Sequence, residues 1–446
     1  MQFILQTLSN RTVHRQVLWL AVPMVLSNIT VPLLGLIDAA VIGHLDHAWY
    51  LGGVALGSTM ISVTLWLLGF LRMSTTGLTA QAVGSEDPKQ LIRVLLQGLI
   101  MAIGFATVFL LFHRVIADLI FQWSDASEHV KHYGYQYFTI RVWSAPASLA
   151  NYVLLGWLLG TQNARAPMWM VIITNLVNIV LDLLFVVGLN WKVEGAALAS
   201  VISDYVGTIF ALICVVRYWI SHHLPSPKSV WGQVSHGLVR FIKLNRDIFL
   251  RSLCLQVVFS LMTFQGAALG DKTVAANAVL MSFVMFISYG MDGFAYAMEA
   301  LVGKSIGAKS EHQLKEAMIG TVFWSLLICA LLTMVFGLCG DGLVGLITDI
   351  PNVHQQAMEF MPWLVAMPLV SMWCYLLDGV FIGATKGKEM RNSMFVAAAS
   401  FFILFWSTQS WGNHGLWLSM LTFMAIRGLT LAVVMAQQWK AQRFLV

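Results

Sequence analysis

Apolar residues come in runs of about twenty along this chain, each closed by a short break rich in polar residues, glycine or proline. A bilayer core roughly 30 Å thick asks for helices of that length. The pattern predicts twelve of them, over 16–42, 48–82, 92–112, 130–161, 167–188, 194–219, 247–269, 273–304, 314–338, 353–384, 393–409 and 415–438. The second, eighth and tenth are long enough to be tilted or broken. No block of soluble-domain size separates them. The first run continues past signal-peptide length after the short stretch Met1–Asn10, so no cleavable signal is expected.

The runs also repeat. A shift of 223 residues, half the chain, brings Gly43 onto Gly266, and Gly84, Gln90 and Leu91 onto Gly307, Gln313 and Leu314. The same shift lays "SLANYVLLGWLLG" (148–160) on "SMWCYLLDGVFIG" (371–383), pairing Ser148, Tyr152, Gly156 and Gly160 with Ser371, Tyr375, Gly379 and Gly383. Six helices per half is an even number, so both halves enter the membrane in the same sense, as two parallel six-helix pseudo-repeats. The expected organisation is an N-terminal lobe over 1–219, a cytoplasmic linker over 220–246 and a C-terminal lobe over 247–446. The later part of the linker, Val230 to Leu244, is basic and amphipathic and is expected to lie on the inner surface.

Composition agrees with a lipid-embedded chain: 58% of residues are hydrophobic and 11% charged, against about a quarter charged in soluble domains. The basic residues are unevenly placed. With the N-terminus inside, nineteen Lys and Arg fall in inner segments and four in outer loops, while Arg72, Arg141 and Arg427 lie inside helices. That bias puts both termini in the cytoplasm. It also accounts for the net charge of +5 through topology, so no nucleic-acid partner is implied. The five cysteines are odd in number and sit in apolar helices, which points to neither a disulfide framework nor a zinc site.

Against this background a few polar residues inside the runs stand out, because an ionisable group at membrane depth costs about 2.5–3.5 kcal/mol to insert. "VPLLGLIDAAVIGH" (31–44) carries Asp38 in the first helix, behind Pro23 and Pro32, two residues that permit a helix to bend. The fifth helix reads "TNLVNIVLDLLF": Thr174, Asn178 and Asp182 recur every fourth residue and line one face, bordered by Asn175. The sixth helix offers Ser200, Ser203 and Asp204. Carboxylates gathered in one cavity suit proton carriage, and the same oxygens could supply part of a sodium site at Asp38, Asn178 and Asp182. The alternative is an interhelical hydrogen-bond clamp, the favoured reading for the serines. In the second half, Tyr289, Asp292, Tyr296 and Glu299 share a face of the eighth helix, and Tyr375 and Asp378 lie on the tenth. Acids beside tyrosines suit lipophilic cations; equally, Asp292, Glu299 and Asp378 could pair internally with Arg251, Lys304 or Arg427. No HExxH or GxSxG stretch and no complete Walker A is present, which argues against a membrane-embedded enzyme and an ATP-driven pump.

The stretches "SNITVPLLGLIDAAVIGHL" (27–45), "FLRMSTTGLTAQAVG" (70–84), "RVWSAPASLANYVLLGWLLG" (141–160), "NLVNIVLDLLFVVGL" (175–189), "MDGFAYAMEALVG" (291–303) and "CYLLDGVFIGATKGKEMRNSM" (374–394) carry a likeness. Over its whole length the chain resembles the multidrug and toxic compound extrusion (MATE) transporters, and closely their DNA-damage-inducible protein F branch. The resemblance implies an all-α, multi-pass protein of the bacterial inner membrane with a two-lobed fold. It further implies a monomer without cofactor that expels drugs and other amphipathic, often cationic compounds in exchange for protons or sodium. The family's principal coupling acid falls on Asp38, its asparagine and aspartate of the fifth helix on Asn178 and Asp182, and a hydroxyl of the sixth on Ser200. Helix-one bending in this branch is matched by Pro23. Some sodium-coupled relatives use an acid in the seventh helix with one in the tenth. Here the seventh reads "RSLCLQVVFS", with Gln256 and no acid, although Asp378 is present; this moves the expectation towards protons at Asp38. A lipid-linked oligosaccharide flippase of the same superfamily is the rival reading, and would call for a cavity lined by Arg and Lys.

Overall fold

The computed structural model describes residues 2–43, 45–122 and 126–444. Twelve helices in it are long and apolar enough to cross a membrane. They are α1 (Arg11–Gly43), α2 (Ala48–Gly84), α3 (Pro88–Gln122), α4 (Glu128–Gly160), α5 (Arg165–Gly188), α6 (Lys192–Ser221), α7 (Leu238–Ala268), α8 (Asp271–Gly307), α9 (Glu311–Ile347), α10 (Pro351–Gly383), α11 (Gly387–Ser407) and α12 (Asn413–Lys440). Among the described residues there is no strand. Several helices outrun the apolar windows that predict them, since polar end turns prolong a helix once its apolar middle has nucleated it.

Three spans depart from regular α-helix. In α2 a turn at Leu68–Gly69 separates Ala48–Leu67 from Phe70–Gly84. In α4 the helix Glu128–Arg141 passes through a 3₁₀ turn, Val142–Ser144, into Ala145–Gly160, with Pro146 in the first turn of the second segment. In α5 regular helix ends at Asp182 and a π-helical turn, Leu183–Gly188, follows, closed by a bond from Leu189 N to Leu184 O at 2.9 Å. By contrast α8 is unbroken, and so is α10 despite Pro362 and Pro368. The Thr333 hydroxyl of α9 donates to Val365 O, between the two prolines, at 3.0 Å. Helix α1 likewise continues through Pro23 and Pro32.

The chain divides into two compact units, Leu26–Phe241 and Met1–Val25 with Ile242–Val446. This differs from the expected lobes at two places. Linker residues up to Phe241 pack with the N-terminal unit, where the Gln97 amide donates to Val234 O (2.6 Å) and His236 O (2.9 Å). The linker itself is a short helix, Pro227–Trp231, followed by turns, and Leu238 to Leu244 already belong to α7. No single amphipathic helix therefore covers 230–244, because those turns interrupt it.

The second difference is that residues 1–25 group with the C-terminal unit. Two glycines make room for them. A Cβ at Gly293 of α8 would lie 2.8 Å from Val25 N and 3.1 Å from Ala21 O, and one at Gly320 of α9 would lie 2.6 Å from Val13 Cγ1. Any side chain there would push the start of α1 away.

Within each unit the repeat reappears as packing. In the N-terminal unit Gly156 and Gly160 of α4 bring their backbone onto α2: a Cβ at Gly156 would meet Arg72 O at 2.5 Å, and one at Gly160 would meet Thr76 O at 2.9 Å. In the C-terminal unit Gly379 and Gly383 of α10 do the same on α8, meeting Ala295 O at 2.7 Å and Glu299 O at 2.6 Å. Arg72 and Ala295, like Thr76 and Glu299, stand 223 positions apart. The offset that aligns the glycines also aligns the carbonyls they touch.

Candidate functional site

The N-terminal unit gathers its polar residues where α5 and α6 meet. The stripe on α5 places Asn178 and Asp182 inward, each 2% exposed, while Thr174 turns its hydroxyl back to Met170 O at 2.8 Å. Asn175 leaves the stripe and donates to Thr30 of α1 at 2.8 Å. The side chains of Asn178 and Ser200 are 3.1 Å apart. With its amide nitrogen towards the acids, Asn178 donates to Asp38 Oδ1 (3.3 Å) and Asp182 Oδ2 (3.1 Å) and accepts from Ser200 N (3.2 Å) and its hydroxyl (3.1 Å). The opposite amide orientation would set its oxygen against carboxyl oxygens, which have no donor when ionised. Asp38 and Asp182 are also within hydrogen-bonding reach of each other. Asp182 Oδ1 is buried without a hydrogen-bond partner.

An ionised carboxyl has no proton to donate, so a bond between these two carboxyls requires a proton on one of them. Their oxygens, gathered beside the Asn178 amide, are suited to a proton or to part of the shell of one hard cation. The structure thus brings together Asp38, Asn178, Asp182 and Ser200.

Asp204 is placed differently. One turn along α6 from Ser200, its Oδ2 accepts from Arg141 Nη1 at 2.8 Å and from the Ser148 hydroxyl at 2.8 Å, and its backbone carbonyl accepts from Asn151 at 3.1 Å. Arg141 also donates to the Ser144 hydroxyl. The 3₁₀ turn at Val142–Ser144 lies between these groups and brings Arg141, Ser144 and Ser148 to one carboxylate. Tyr137, four residues before Arg141 on the same helix, is buried at 6% exposure near the guanidinium and Ser200. Sequence reasoning noted Arg141 as a basic residue inside a helix but gave it no partner, and missed Tyr137. The signal was the insertion cost of an arginine in an apolar span, which demands an acid nearby.

In the C-terminal unit Asp378 Oδ2 accepts from Arg427 Nη2 at 2.8 Å and from Arg251. All three residues are at most 6% exposed. Internal pairing is therefore what this acid does, as one of the two expectations had it. On α8 Glu299 is buried at 1% exposure while Asp292 and Tyr296 are partly buried. The Tyr375 hydroxyl bonds to that of Ser288. Asp204, offered by the sequence with Ser200 and Ser203 on the sixth helix, is held by the Arg141 cluster of the N-terminal unit. Among the described residues no group of three or more His, Cys, Asp or Glu gathers as metal ligands.

Twelve apolar helices built from a repeated six-helix unit, with carboxyls facing one another inside one of them, are the construction of a secondary membrane transporter. The chain belongs to the MatE family, whose family model matches residues 23–184 and again 248–406. Among curated relatives it is 46% identical to the DNA damage-inducible protein F of Escherichia coli (strain K12) over 426 residues, 95% of this chain and 92% of that one. It is 21% identical to the "Probable multidrug resistance protein NorM" of Bacillus cereus (strain ATCC 14579), covering 95% of each. Among solved structures, a crystal structure of MATE in complex with MaL6 superposes with a TM-score of 0.83 at 17% identity, over all of this chain and 98% of that one.

Proposed function

We propose that the protein is an antiporter of the bacterial inner membrane, with both termini cytoplasmic, that acts as a monomer. It exports amphipathic, often cationic compounds in exchange for protons. The observation that carries this reading is the meeting of Asp38 and Asp182 across α1 and α5, bridged by Asn178. A proton on the pair satisfies both acids. Its loss leaves two like charges side by side in a buried place, a state that favours rearrangement of the helices bearing them. Gradient energy thereby becomes a change of shape. Pro23 and Pro32 on α1, the helix that bears Asp38, are the proposed bending points. A relative from Bacillus cereus is named a probable multidrug resistance protein, and the α8 face with Tyr289, Asp292 and Tyr296 offers charge and aromatic surface for a lipophilic cation. Asp38→Asn protein, reconstituted in proteoliposomes, is expected to lose ethidium transport driven by a pH gradient while remaining inserted and folded. Undiminished transport by that variant would remove Asp38 from the coupling role.

A further inference from the structure

The start of α1 is tied to α9 through one imidazole. Trp324, one turn along α9 from Gly320, donates its indole N–H to His14 Nδ1 at 3.0 Å. The other ring nitrogen, Nε2, lies 2.8 Å from the carbonyl oxygen of Leu8. An indole nitrogen only donates, so Nδ1 must be the acceptor. The proton of the neutral ring is therefore on Nε2 and is given to Leu8 O. Leu8 stands near the end of a short helix, Gln2–Ser9, where the last carbonyls have no partner within the helix. His14 thus joins the short helix, α1 and α9. Phe323 packs edge-on against the ring at 5.6 Å and 64°, which holds its plane.

This arrangement admits one protonation state. A second proton on His14 goes to Nδ1 and sets N–H against the N–H of Trp324, and the indole has no lone pair to offer in exchange. The bond to α9 is then lost. Both rings are half-buried, so a proton from water reaches His14. Another indole–imidazole pair shows what is particular here. Trp363 donates to His414 Nδ1 at 3.1 Å, but His414 Nε2 stands 3.5 Å from Glu359 Oε1, a carboxylate that stabilises a charged ring. At His14 a carbonyl takes that place.

The charged and titratable groups around His14 are Arg11 and Arg15 on α1, and Glu311, His312, Lys315 and Glu316 on α9; the short helix carries none. Glu316 is engaged elsewhere, accepting from Asn10 Nδ2 at 3.3 Å and standing 3.4 Å from His312. Lys315 is paired with Glu311 at 2.6 Å. A proton on His312 tightens its pair with Glu316, so of the two histidines only His14 acts towards release.

We propose that His14 is a pH-sensitive latch: neutral, it fastens the short helix and the start of α1 to α9; protonated, it lets both go. The freed segment is the beginning of the helix that bears Asp38. The test is hydrogen–deuterium exchange of residues 2–20 in the full chain in detergent, at about pH 7.5 and about pH 5.5, corrected for the intrinsic pH dependence of exchange. The readout is independent of transport. Wild type is expected to lose protection there about tenfold on acidification, while α11 keeps its own. His14→Asn, whose side-chain oxygen accepts from Trp324 without titrating, should stay protected at both pH values. His14→Lys, which has donors only, should be unprotected at both. Trp324→Phe removes the opposing N–H, so exchange should no longer step with pH. A wild type without the step overturns the proposal, as does a loss shared by α11, which is global acid unfolding. Protection of the His14→Lys protein at either pH overturns it as well. So does a step of full size in folded His14→Asn or Trp324→Phe protein, and if one of these two fails to fold the other decides.

Discussion

Asp182 and Asp378 are both buried carboxylates, and their neighbours give them opposite tasks. Asp378 sits between two guanidiniums, where removing the acid leaves like charges buried together. Asp378→Asn is expected to destabilise the protein by on the order of 3 kcal/mol, read as a fall in the thermal midpoint in detergent. Asp182 faces another acid and an amide, so Asp182→Asn relieves like-charge crowding. It should leave that midpoint near or above wild type while abolishing transport. A fall in the Asp182 variant as large as in the Asp378 variant would mean that both acids serve structure alone. The sequence made half of this contrast legible. Spacing on α5 put Asn178 and Asp182 on one face without help from any other helix. Arg251 and Arg427 stood among the candidate partners of Asp378, but spacing could not single them out, and it offered Asp204 none, because these arginines and Arg141 come from other helices whose rotation about their axes no spacing rule fixes.

At the scale of elements, long hydrophobic runs specified the twelve spans and the length of the second allowed for a break, whereas the places of interruption were hidden. The turn at Leu68–Gly69 and the 3₁₀ turn at Val142–Ser144 lie inside spans that hydropathy reads as single helices, and hydropathy cannot distinguish a broken helix from a whole one. Conversely Pro362 and Pro368 signal a break that α10 does not make, its helix running from Pro351 to Gly383. The glycines repeated at 223 residues proved to be places where two backbones touch, and this sets a graded expectation. Gly379→Ala, whose Cβ would stand 2.7 Å from Ala295 O, should cost roughly 1–3 kcal/mol through forced separation of α10 from α8. Gly104→Ala on α3, with nothing within 4 Å, should be neutral or gain up to about 1 kcal/mol from helix propensity. Equal thermal midpoints for the two variants would contradict the packing account.

For the whole molecule, the duplication was legible as an offset and the family model matches the chain twice, yet the two compact units are not the two repeats. Residues 11–25 of α1 group with the C-terminal unit while residues 26–43 of the same helix group with the N-terminal one. No property of the first run announces this. The docking sites are single glycines, Gly293 and Gly320, about 300 positions downstream, and their meaning appears only when the backbones meet.

That grouping has a consequence for biogenesis. Helix α1 leaves the ribosome first, but Gly320, on which Val13 rests, follows only after eight more spans have begun. At synthesis rates of 5–20 residues per second the delay is roughly 15–60 s. During that interval the start of α1 is in the membrane without its native neighbours, and the N-terminal unit must assemble around a helix whose other end is still waiting. In the folded chain Val13 is 5% exposed and Val17 is fully buried. A cysteine placed at Val13 should therefore react readily with a maleimide in a membrane-inserted chain arrested at residue 270, and be protected once α8 and α9 have been made. Protection already present in the arrested chain would show that the first helix finds its place earlier, on other partners.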